Sequence, residues 1–183
     1  MKTIDKYLFQ ALDNYPFWLE GTVESLDYAL SYDAKNTTAL CLYGRVHAEQ
    51  LLDYGAAKAY FQEALGIDVY ALEVYPYYIQ TLLCNEDYEE AERLIAFALT
   101  IKGISKTAIL LEKGALLERR GEIKAALKLM KTIKLSCFTL SDADAAAELE
   151  KRLKGKRGLL FKKKKKKPEK SNASKKESKT KKK

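Results

Sequence analysis

The chain has one histidine, His47, and three cysteines, Cys41, Cys84 and Cys137. A single imidazole cannot build a histidine metal cluster, and no Asp or Cys stands at a spacing that would complete a nucleophile–base set around it. His47 reads as a packing residue. The cysteines are odd in number, 43 and 53 residues apart, with no CxxC pattern, so neither a disulfide framework nor a zinc site is expected. The glycines are isolated; no phosphate-cradling loop, GxSxG elbow or HExxH helix is present. An enzyme is therefore not expected, nor a cofactor, metal or small-molecule substrate. The one strongly marked chemistry is the run Lys162, Lys163, Lys164, Lys165, Lys166 and Lys167. Such a run attracts polyanions. Nucleic acid, free or in a ribosome, would release counterions on binding it, and an anionic membrane would attract the same charges, with Leu159-Leu160-Phe161 as an apolar toe. A solubilising tail lying over an acidic body is the rival reading.

The charge is divided. Residues 1–150 hold 15 Lys/Arg against 23 Asp/Glu, a net −8, whereas residues 151–183 hold 18 against 2, a net +16. Partners must be argued separately for body and tail. Charged residues interrupt every apolar run near the amino terminus, unlike a secretory signal, and no stretch approaches the ~20 apolar residues of a membrane span. A cytoplasmic protein is the expectation.

The elements that would position any site repeat. Ala57, Ala91 and Ala126 are 34 and 35 residues apart, with Thr22 in the same slot 35 residues before Ala57. A second small slot runs Ala29, Ala64, Ala98 and Ile133, and a bulky slot between the two runs Leu26, Phe61, Ile95 and Met130. Apolar residues at helical spacing fill the first half of each unit, beginning with Ile4, Tyr7, Leu8, Ala11 and Leu12. Pro16 ends that first helix, and Pro76 requires a later helix to start near Tyr75. Gly44, Ala57 and Ala64 allow close helix crossing, with Phe61 filling the space beside them. Ile79 stands where Gly44 and Gly114 stand in the neighbouring units, which predicts looser packing there. The turn containing Leu51-Leu52 is one residue longer than its counterpart in the next unit. The units lie at about 2–35, 37–68, 72–101 and 107–135. Ser141 is expected to cap a final helix over 141–154, and residues 155–183 are expected to be disordered.

A 34–35-residue period of paired helices resembles the tetratricopeptide repeat family. That resemblance implies an all-α, right-handed solenoid of antiparallel helix pairs over residues 1–154, with a C-terminal capping helix. It also implies a non-enzymatic scaffold that binds a protein or peptide segment on the concave surface formed by the first helices. Arg45, Glu49, Gln80, Cys84, Glu118 and Arg119 are the groove candidates on this basis, with Cys41 facing the same way. One branch of the family clamps a terminal carboxylate with lysines and asparagines. Cys41, Arg45, Pro76, Gln80, Leu111 and Ala115 at those positions do not reproduce that clamp. The run Tyr75-Pro-Tyr-Tyr78 offers aromatic area for a peptide, with two of its tyrosines expected in the core.

Overall fold

Four helices begin where the sequence supplies a short polar side chain. Asn36 accepts from the Ala39 amide at 3.1 Å, Asp53 from Ala56 at 3.0 Å, Ser105 from Ala108 at 3.4 Å and Thr139 from Asp142 at 3.1 Å. Each acceptor satisfies an amide that has no partner inside its own helix. The computed structural model describes residues 6–164. Among these residues there are nine α-helices and no strand: α1 Lys6–Asn14, α2 Leu19–Tyr32, α3 Thr37–Arg45, α4 Tyr54–Ile67, α5 Val74–Cys84, α6 Tyr88–Ala98, α7 Lys106–Arg119, α8 Ile123–Ser136 and α9 Leu140–Lys164. A π-helical turn, Val46–Gln50, continues α3. Ile4, Lys165, Lys166 and Lys167 lie outside the described residues.

The helices pack in sequence order. α1 packs on α2, α3 on α4, α5 on α6 and α7 on α8, each pair joined to the next, and α3, α5, α7 and α9 also touch in succession. The core falls into an N-terminal cluster around Leu26 and Val46, a central cluster around Phe61, Tyr75 and Ile79, and a C-terminal cluster around Met130, Ile133 and Leu153. Ala57, Ala64, Ala91, Ala98 and Ala126 are all fully buried at helix contacts. A methyl group on Gly44 would lie 2.6 Å from the Phe61 ring, which is why that slot is empty. Ile79 is fully buried, and the smaller Ile95 stands where Phe61 stands one unit earlier, yet α5 and α6 approach each other less closely than the helices of the other three pairs, as the missing small residue leads one to expect. Pro76 sits in the first turn of α5, where its missing amide hydrogen is no loss.

Three turns between paired helices require a left-handed residue at the same place: Leu52 at φ 55°, Glu86 at 63° and Gly121 at 76°. In the latter two the amide of Asp87 or Glu122 reaches back five residues, to Leu82 O at 2.9 Å and Leu117 O at 2.8 Å, closing the helix end by its orphan carbonyls. The longer turn of the second unit keeps this plan by widening the helix. Leu51 N–H donates to Val46 O at 3.2 Å and Asp53 N–H reaches six residues back to His47 O at 2.9 Å. The extra residue is thus absorbed as a π turn.

The C-terminal helix differs from expectation at both ends. Thr139, not Ser141, caps it, with Asp142 returning the bond to the Thr139 amide at 3.3 Å. Both positions carry the same hydroxyl–x–x–acid pattern, and the Ala143 amide bonded to Thr139 O at 3.1 Å starts the helix two residues earlier. At the other end α9 runs to Lys164, ten residues past the expected end at Lys154. Lysine is a good helix former and suits a helix carboxyl end, so a composition too polar for a core still continues a helix already nucleated.

Candidate functional site

Arg45 closes the last turn of α3, and its guanidinium lies between two aromatic rings, 4.7 Å from the Tyr15 centroid and 4.2 Å from that of Tyr77. Glu49, one turn later, accepts from Arg45 Nε at 3.0 Å and from the Tyr15 hydroxyl at 2.5 Å. Cation–π attraction and a charge-assisted pair fix both side chains without neutralising the whole guanidinium surface. Burial, reinforced by Glu49, pushes the Tyr15 phenol up to about 12, so at neutral pH it remains a donor to Glu49.

Arg45 and Glu49 form one wall of a cleft of about 280 Å³. Ala48, Glu49 and Leu52 line it beside Arg45, while α5 contributes Tyr77, Gln80, Thr81 and Cys84, and Tyr54 and Phe61 come from α4. The floor is aromatic and aliphatic; the rim is polar. Gln80 and Cys84 are exposed. Arg119, at the end of α7, donates to Leu83 O at 3.0 Å and approaches Cys84 Sγ at 3.8 Å. It therefore borders the cleft while satisfying a carbonyl at the end of α5. On the same helix, burial pushes the Glu112 carboxyl up to about 7, with Arg119 pulling it back only in part.

Five of the residues expected in the groove thus lie together: Arg45, Glu49, Gln80 and Cys84 line the cleft and Arg119 adjoins it. Glu118 does not. It is 9% exposed and pairs with α9, with Arg152 Nη2 at 3.2 Å and Lys156 Nζ at 2.8 Å. Burial pushes its carboxyl up, but the two cations outweigh that and leave it below the usual carboxylate range. Its neighbour Arg119 points to α5 because successive helical residues are about 100° apart. Cys41 also departs from the groove, being buried in the central cluster, and burial pushes its thiol up to about 12. His47 packs on both rings of the Tyr43–Tyr60 stack, at 6.0 and 5.3 Å between centroids, with Nδ1 4.0 Å from Asp53 Oδ2. Lys162, Lys163 and Lys164 fall in the last turn of α9.

Sequence reasoning missed Leu52 and Tyr54, which line the cleft, and Tyr15, which braces Arg45 and Glu49 from behind it. Tyr15 is concealed by its place in a turn beside Pro16, although it precedes Glu49 by 34 residues, one repeat period. Tyr77 carried a signal in its Tyr-Pro-Tyr-Tyr context: Tyr75 and Tyr78 are core, and Tyr77 is the ring that reaches the cleft. Among the described residues, no group of three or more His, Cys, Asp or Glu is placed to hold a metal ion. The sequence matches no protein-family model and no curated protein.

Proposed function

We propose that the chain is a non-enzymatic interaction scaffold of the tetratricopeptide type, a right-handed solenoid whose concave surface receives a segment of another protein. The single observation that carries this reading is the cleft on α3 and α5. Arg45 is held between Tyr15 and Tyr77 beside an apolar floor, so the groups that would meet a ligand are already ordered. Pre-ordering lowers the entropy a partner must overcome, and aromatic and arginine anchors at the centre of a pocket are where binding energy concentrates. A cleft of about 280 Å³ accommodates one large apolar side chain of an extended or helical peptide, with Gln80 free to bond its backbone.

Panning a random peptide library on the full chain tests this. Selected peptides are expected to lose at least about tenfold in affinity for Cys84→Trp or Gln80→Arg, which fill or charge the cleft, and to bind Arg93→Glu on α6 unchanged. Peptides that bind the cleft variants as well as the parent would remove the cleft as the partner site.

A further inference from the structure

The buried stripe of α9 does not end where the body ends. Ala146, Leu149 and Leu153 pack against α7 and α8, and the same side of the helix continues through Arg157 and Leu160, four and seven residues after Leu153. There the body is gone. Leu159 and Leu160 are 67% and 56% exposed, and a methyl group on Gly155 or Gly158 would meet nothing within 4 Å. In helical projection Lys156, Arg157, Leu159 and Leu160 occupy one half of the cylinder, with Gly155 and Gly158 on the other. Lysines 162–164 complete the helix. Lys156 ties this end to the body, its Nζ 2.8 Å from Glu118.

We infer that this end of α9 is a docking element for an anionic lipid surface, independent of the cleft. Two observations select lipid over nucleic acid. Paired exposed leucines gain free energy from acyl chains and nothing from a phosphate backbone. The glycines form a narrow back, so Arg157 and the two leucines lie together on the opposite half of the helix, past its contact with α7 and α8. Charge complementarity supplies the rest: residues 151–183 carry a net +16, and each basic residue near an anionic bilayer contributes attraction that salt screens. Only the last turns, beyond the part of the same side that α7 and α8 occupy, would meet the surface, and no helix among the described residues is long and apolar enough to cross a membrane. Two glycines make this segment a weak helix on its own, so contact with the surface would strengthen it.

The test uses the full chain with vesicles of phosphatidylcholine alone, vesicles containing phosphatidylserine, and duplex RNA, followed by co-sedimentation and circular dichroism. Binding is expected only to the phosphatidylserine vesicles among the two lipids, with a gain in helical signal, and to weaken with added salt. Leu159→Ala with Leu160→Ala is expected to reduce vesicle affinity severalfold while leaving any RNA binding unchanged; Leu159→Glu combined with Leu160→Glu should reduce vesicle affinity further, at least about tenfold, its added charge also weakening any RNA binding. Failure to bind phosphatidylserine vesicles overturns the inference. So does vesicle binding indifferent to both leucine pairs, or RNA binding that falls with the alanine pair; in that last case the element serves nucleic acid.

Discussion

The two halves of the first-helix face are joined by contacts of nearly the same sequence spacing but opposite chemistry. Upstream, Tyr15 meets Glu49 and Tyr77 meets Arg45, and rings leave an open cleft between α3 and α5. Downstream, Glu118 meets Arg152 and Lys156, and ion pairs close α9 onto α7. Flat rings carry bulk without needing every edge satisfied, so space can remain beside them. A buried carboxylate demands its cations and draws the next helix in. The same architecture thus yields a receptive region and a sealed one.

The largest test of this contrast is Gly44→Val. Because Phe61 already occupies the space, the upstream half should lose about 3 kcal/mol in chemical denaturation. Gly66→Ala, at a helical glycine with nothing nearby, serves as the control and should be neutral or stabilise by up to about 1 kcal/mol through helix propensity; a loss at Gly44 no greater than at Gly66 would mean that the Gly44–Phe61 contact is not tight. Next, Glu118→Gln should cost about 1–2 kcal/mol by leaving Arg152 and Lys156 without their buried partner. This loss has a pH signature. The folded Glu118 carboxyl lies below its usual value, so its contribution is present above the unfolded carboxyl pKa of about 4.3 and fades as pH falls through the lower folded value. A parent and a Gln variant that converge in stability on acidification would support the pairing; a constant gap would not.

A smaller effect, of opposite sign, is expected at Glu112 on α7, the helix both halves share. Its folded pKa is raised to about 7, so the folded state retains a proton that the unfolded chain has released. Stability is therefore lost as pH rises from about 4.3 through 7. Glu112→Gln should raise stability by about 1 kcal/mol at pH 8, discounted for its partial exposure, and change it little at pH 4. A melting comparison at the two pH values decides it. The smallest change concerns the turns. Leu52→Gly and Glu86→Gly should each stabilise by ~0.5–1 kcal/mol by relieving a left-handed backbone on a residue with a Cβ. Gly121 already meets that requirement, so Gly121→Ala should cost a similar amount, measured by thermal unfolding.

Much of this was legible in the residues. The alanine, bulky and second small slots at a 34–35-residue period placed the paired helices, and the extra residue at Leu51-Leu52 was visible as a count before its form as a π turn was known. The cleft was half legible: Arg45, Glu49, Gln80, Cys84 and Arg119 follow from their first-helix positions. Tyr15 was not, because a turn residue beside a proline shows no periodicity. Glu118 and Arg119 were indistinguishable as adjacent polar residues, and only the position of α9 separates them.

The sequence by itself determined where helices form and which slots must be small, because caps, prolines and periodic apolar residues act over a few residues of chain. The tertiary structure decided which polar side chains stay available. Arg45 meets Tyr15 and Tyr77 across 30 and 32 residues of chain, and Glu118 meets Arg152 across 34. Whether a charge faces a ring, another charge or water depends on how helix pairs stack, and no local pattern encodes that.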